Sequence, residues 1–93
     1  MGTPLRREAT ARIVNKKGLH ARASAKLVEA AARFQSHITV TRDGQSVDAR
    51  SIMGLMMLAA NMGADIDIVA EGPDCDEAMV AILALIDAKF GED

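Results

Sequence analysis

HITVTRDGQSVDAR, residues 37–50, decides the fold. From His37 to Arg42 apolar and polar residues alternate, with Ile38 and Val40 turned inward, as in a strand with one buried face. Asp43-Gly44 is a strong signal for a two-residue hairpin loop, where the central positions need positive φ. Gln45 to Arg50 is then the return strand, with Val47 and Ala49 inward. The hairpin predicts an antiparallel sheet with one face on the core and the other in water.

Outward from the hairpin the same alternation returns twice. Upstream, Glu8 to Asn15 sets Ala9, Ala11 and Ile13 against Thr10 and Arg12. Downstream, Asp65 to Glu71 places Ile66, Ile68 and Ala70 on one face. Helical spacing fills the gaps. Ala23, Leu27, Ala30, Ala31 and Phe34 form one stripe over residues 21–34, with Lys26, Glu29 and Arg33 on the wet face. Ser51 suits the N-cap of a short helix through SIMGLMMLAAN, with Leu55, Leu58 and Ala59 inside and Gly63 as its C-cap. Gly72-Pro73 breaks the chain, Asp74 caps the last helix, and Glu77 completes a box-like pattern. Cys75, Met79, Ile82, Leu83, Ile86 and Phe90 make that helix's buried stripe.

The order is β-α-β-β-α-β-α. It predicts an α+β open-faced sandwich, a four-stranded antiparallel sheet covered on one face by three helices. Residues 1–93 make one domain, with a structured core over about 8–90 and an N-terminal extension over 1–7.

Composition narrows the function. The chain is 49% hydrophobic with two aromatics, Phe34 and Phe90, so it folds around an aliphatic core. A net charge of −2 argues against a nucleic-acid binder, and the strands carry no aromatics for base stacking. Cys75 is the single cysteine and has no partner for an internal disulfide, which fits a reducing compartment. No apolar run reaches the roughly 18 residues of a membrane span, and the N-terminus lacks the apolar stretch of a signal peptide. The expectation is a cytoplasmic monomer without membrane insertion. Two histidines and one cysteine lack ligand spacing, and no glycine loop suits a nucleotide, so neither a metal nor a cofactor is expected.

NKKGLHARAS, residues 15–24, carries the chemistry. His20 stands between a glycine turn and a helix start, amid Lys16, Lys17, Arg22 and Lys26, with no carboxylate near in sequence. A group just before a helix faces free backbone N–H donors and the positive end of the dipole. Cations and dipole disfavour imidazolium and favour the neutral, nucleophilic ring. Arg22 offers a fork for two oxygens of a phosphate. The combination suits an imidazole that attacks phosphorus, with the N–H groups of about Ala21 to Ala23 holding the charge. A carboxylate distant in sequence would have to fold alongside to orient the ring. His37 reads as a strand-edge residue without a role.

Ser51 is a cap first. A phosphate there would also meet a helix N-terminus favourably. Met53, Met56, Met57 and Met62 crowd the same short helix. With Leu55 and Leu58 inward, Met53 and Met56 point outward beside Ile52, and an exposed, flexible apolar patch marks a partner site.

GLHAR at 18–22, SIMGLM at 51–56 and GADIDIVAEG at 63–72 resemble the HPr family, the histidine-containing phosphocarriers of the bacterial phosphotransferase system. The resemblance runs from about residue 8 to residue 90. It implies the same sandwich and a carrier that is not an enzyme in the turnover sense. Phosphorylated enzyme I would charge His20 on Nδ1, and a IIA-type protein would receive the group. Arg22 would stabilise the phosphohistidine. In many members an HPr kinase/phosphorylase modifies the serine matched by Ser51, and Ile52, Met53 and Met56 would dock the partners. Ala23 and Ser24 stand where proline and alanine are common, which predicts a looser first helical turn. Gly54 stands where some members have lysine, so the docking face is more apolar here. The sequence also resembles the nitrogen-related branch, so a purely regulatory homologue stands beside sugar transport.

Overall fold

A computed structural model describes residues 5–92. Four strands, β1 (Arg6–Arg12), β2 (His37–Arg42), β3 (Gln45–Asp48) and β4 (Asp65–Glu71), form one antiparallel sheet in the order β1-β4-β2-β3. Three helices, α1 (Ala21–Ala32), α2 (Ile52–Met57) and α3 (Cys75–Asp87), cover one face, and a single 3₁₀ turn (Lys89–Gly91) follows α3. This is the open-faced sandwich that the alternation predicts. None of these helices is long and apolar enough to cross a membrane.

The hairpin forms where expected. Asp43 and Gly44 take φ of 51° and 81°, the left-handed pair that joins β2 to β3 without splaying them. Ile38 and Val40 of β2 lie beside Ala70 and Ile68 of β4 on the inner face of the sheet, and these four and Ile66 are buried. Leu27 of α1, Leu55 of α2 and Ile82 of α3 close it from above, fully buried. Each such side chain contributes roughly 1.5–3 kcal/mol by leaving water.

Several boundaries differ from the pattern. β1 begins at Arg6, inside the expected extension, and ends at Arg12. Ile13 is buried beyond the strand, bonding through its N–H to Ala64 O and through its carbonyl to Gly63 N. α1 ends at Ala32, leaving Phe34 half-buried, and β3 ends at Asp48. α2 ends at Met57, so Gly63 is not its C-cap. The chain leaves through Ala59 at φ 51°, which turns Ala59 outward and puts Ala60 into the core instead. Leu83 of α3 is half-buried, and Phe90 reaches the core through left-handed Lys89 and Phe90 and not along a continuing helix. His37 opens an inner strand, not an edge.

Asp74 is the largest local departure. It sits at the N-cap of α3, yet its side chain makes no cap bond. Its carboxylate accepts from the Gln35 and Ser36 N–H groups at 2.8 and 2.9 Å and from the Ser36 hydroxyl at 2.5 Å. It ties the α1–β2 turn to the head of α3. The Ser36 hydroxyl, then the Gln35 N–H, hold its carboxyl below the usual range, against a smaller opposing effect of burial.

Candidate functional site

His20 is the N-cap residue of α1, with extended φ and ψ of −77° and −176°. The loop before it is pinned to the chain after α2. Leu19 N–H donates to Ala60 O at 2.9 Å. Gly18, at φ 66°, passes so near that strand of chain that a Cβ there would lie 2.5 Å from Ala60 O. Only glycine fits this crossing.

The ring does not cap its own helix, and the N–H groups of Ala21, Arg22 and Ala23 bond to no described residue. The Ser24 N–H donates to His20 O at 2.8 Å, and the buried Ser24 hydroxyl donates to Leu19 O at 3.1 Å. A side-chain bond that the sequence pattern does not announce therefore ties the first turn.

A carboxylate stands at the ring after all. Glu92 Oε2 lies 2.7 Å from His20 Nε2. Its other oxygen accepts from Asn15 Nδ2 at 3.1 Å, and the same amide donates to Gly18 O at 2.8 Å. Asn15 is fully buried, and its Oδ1 has no partner among the described residues. Lys26, expected on the wet face, donates to Phe90 O at 2.5 Å and fastens the same C-terminal strap. His20 and Glu92 side chains are 25% and 18% exposed, so the pair is screened but open on one side. Burial alone would raise the Glu92 carboxyl. The bonds from Asn15 and His20, the charge of Lys17 and that of the ring whenever it is protonated outweigh it, and the net shift is downward. The signal for Glu92 was in the sequence as an acidic tail, GED, against a basic loop, KK.

With Nε2 engaged, Nδ1 bonds to no described residue. A ring whose Nε2 holds its proton toward a carboxylate keeps its lone pair on Nδ1. Lys16, Lys17 and Arg22, its exposed neighbours in the chain, are in no ion pair with a described residue. A shallow cleft of about 220 Å³ runs from Lys17, Leu19 and His20 to Met56 and Asn61, which brings α2 beside the ring.

Ser51 caps α2 as predicted, its Oγ accepting from Gly54 N–H at 2.9 Å. Ile52, Met53 and Met56 are exposed, Met53 at 72%, as the inward Leu55 and Leu58 require. Met57 and Met62 are exposed with them. His37 lies apart on the open sheet face, 3.9 Å from Asp48.

Comparison with known proteins gives one family. The profile described as "PTS HPr component phosphorylation site" matches residues 7–88. The phosphocarrier protein HPr of Cupriavidus necator is 54% identical over 95% of this chain and 97% of its own length. The phosphocarrier protein NPr of Shewanella violacea is 46% identical over 97% of each chain. A crystal structure of HPr-C-His from Thermoanaerobacter tengcongensis superposes with a TM-score of 0.90 at 46% identity, covering 94% of this chain and 98% of that one.

Proposed function

The chain belongs to the HPr family of phosphocarriers, which are not catalysts, and from that membership we propose that His20 accepts a phosphoryl group from phosphorylated enzyme I and passes it to IIA-type proteins. The observation that carries this reading is the hydrogen bond between His20 Nε2 and Glu92, which leaves Nδ1 open.

The Nδ1 lone pair attacks phosphorus. A bond from phosphorus to Nδ1 forms as the bond to enzyme I breaks, and the proton on Nε2 stays where Glu92 holds it. The ring gains positive character in the transfer, which the carboxylate offsets. The dianionic phosphoryl group meets the free N–H groups of Ala21 to Ala23 and the guanidinium of Arg22. Onward transfer reverses the roles. The acceptor's nucleophile attacks phosphorus, and Nδ1 leaves as a neutral ring nitrogen. No metal or cofactor enters these steps.

Partners dock on α2, where Ile52, Met53 and Met56 lie exposed beside the cleft at His20. Ser51, at the head of that helix, is the regulatory site, modified by an HPr kinase/phosphorylase. Its phosphate would add nearly two negative charges next to the docking face, repelling an acidic partner surface. The carrier works as a monomer in the cytoplasm, with neither nucleic acid nor membrane as a partner.

A second reading is a regulatory homologue of the nitrogen-related type, which controls partner proteins without moving sugar. The 46% identity with a protein named NPr favours keeping it. Transfer from labelled phosphoenolpyruvate through enzyme I tests the first step. An acid-labile product on the protein, absent from a folded His20→Ala variant, is expected. A variant that still takes label moves the nucleophile elsewhere. Offering the charged protein to sugar-type and nitrogen-type IIA domains then separates the two readings.

A further inference from the structure

Among the described residues, every sulfur well exposed to solvent lies on α2 or on the turn after it. Met53, Met56 and Met57 are on the helix and Met62 on the turn, with exposures from 42% to 72%. The other two described sulfurs, Met79 and Cys75, belong to the buried stripe of α3, at 7% and 3%. Among the described residues an oxidant in water therefore meets thioethers at α2 and the turn after it, while the thiol is shielded. Met56 also lines the cleft that opens on His20.

We propose that this cluster is a site of reversible oxidation to methionine sulfoxide by hydrogen peroxide, which converts the face beside His20 from apolar to dipolar and slows docking. The inference rests on the reading of α2 as the docking face. A sulfur lone pair attacks one peroxide oxygen. The S–O bond forms, the O–O bond breaks, and the second oxygen leaves as water after taking the proton of the first. Sulfur gives up two electrons and peroxide accepts them. A thioether has no proton to lose, so the step needs no base.

The consequence follows from the side chain. Methionine is unbranched and polarisable, so an exposed group of them fits differently shaped apolar partners. The sulfoxide is polar and chiral. A partner that covered it would strip water from an S=O dipole without supplying a donor. Leu55 and Leu58, buried beneath, hold α2 on the core and contain no sulfur. The surface changes while the fold remains.

The test treats the whole protein with dilute peroxide, removes the peroxide, and maps added oxygen by peptide mass. Phosphoryl acceptance from enzyme I is measured before treatment, after it, and after repair by methionine sulfoxide reductases of both stereospecificities. Met53, Met56, Met57 and Met62 should each gain oxygen before Met79. Acceptance should slow by about tenfold or more, the effect of losing one good interface contact, and repair should restore it. A variant carrying M53L, M56L, M57L and M62L, compared only with itself, should show no effect of peroxide. Oxidation of Met79 as early as the other four overturns the site. An unchanged rate in the fully oxidised protein, or equal slowing of the fourfold variant, overturns the consequence. If the untreated protein takes no phosphoryl group, the carrier reading fails and the slowing falls with it, while the order of oxidation still decides the modification site.

Discussion

Nε2 of His20 and Oε2 of Glu92 stand 2.7 Å apart, although 72 residues separate them in the chain. The strap that delivers Glu92 is fixed by buried Phe90, by Lys26 on Phe90 O and by Asn15 on the second carboxylate oxygen. The carboxylate therefore sets which ring nitrogen is free.

Glu92→Ala should slow phosphoryl acceptance by about tenfold without abolishing it, since it removes a positioning group and leaves the nucleophile. Nitrogen chemical shifts of the ring should show loss of the single tautomer. The Glu92 carboxyl is held below its ordinary value, so its contribution is present above the unfolded value near 4.3 and fades as pH falls through the folded one. Following the ring signals down in pH should show the contact intact at pH 5. Separation above that pH would contradict the assignment.

Ser51 gives two separable effects. Ser51→Ala removes the bond to Gly54 N–H and should cost about 1 kcal/mol in urea unfolding. Ser51→Asp keeps an N-capping oxygen, so its stability should stay within about 0.5 kcal/mol of wild type. Its reaction with enzyme I should nevertheless be several-fold slower. Equal rates for Ser51→Asp and wild type would remove the regulatory role.

Met53→Glu should leave unfolding free energy within about 0.5 kcal/mol, because the side chain is 72% exposed. Binding to enzyme I should weaken by about tenfold. A variant that binds as wild type does would take Met53 out of the docking face.

Asp74→Asn should lower Tm by several degrees at pH 7, since the ionised carboxylate receives bonds from Ser36 and Gln35. The Asp74 carboxyl is shifted down, so its stabilisation is full above the unfolded value near 3.9 and is lost as pH falls through the folded value. The gap in Tm between the two proteins should therefore narrow as pH drops toward 2. A gap that stays constant with pH would mean the loss is one of shape and not of charge.

The parts legible in the sequence are those fixed by near neighbours. Alternation in β2 and β4, the Asp43-Gly44 turn and the Ser51 cap each depend on residues a few positions apart, and each appears where expected. The basic ring at His20 and the outward Met53 and Met56 follow from the same local rules. The rest is set across the fold. Asp74 has good N-cap chemistry, but the turn at Gln35 and Ser36 offers three donors and takes the carboxylate. Ala59 lies in a helical pattern, but the chain must turn there to reach β4, and it leaves α2 in a left-handed conformation. Glu92 lies beyond both the expected core and the family match, so neither periodicity nor motif points to it.

The distribution of cations has a consequence for encounter in solution. Arg6, Arg7 and Arg12 are paired with carboxylates, while Lys26, Arg42 and Arg50 are held on backbone carbonyls. Lys16, Lys17, Arg22, Arg33 and Lys89 bond to no described carboxylate; Arg33 ends α1, while the other four lie on the loop, the helix start and the strap beside His20. A molecule of net charge −2 thus gathers four of these five cations near His20. Approaching an acidic surface, it would be turned ring-first before contact. Its association rate should then fall steeply with ionic strength, while a dissociation rate set by the proposed α2 contacts should change little.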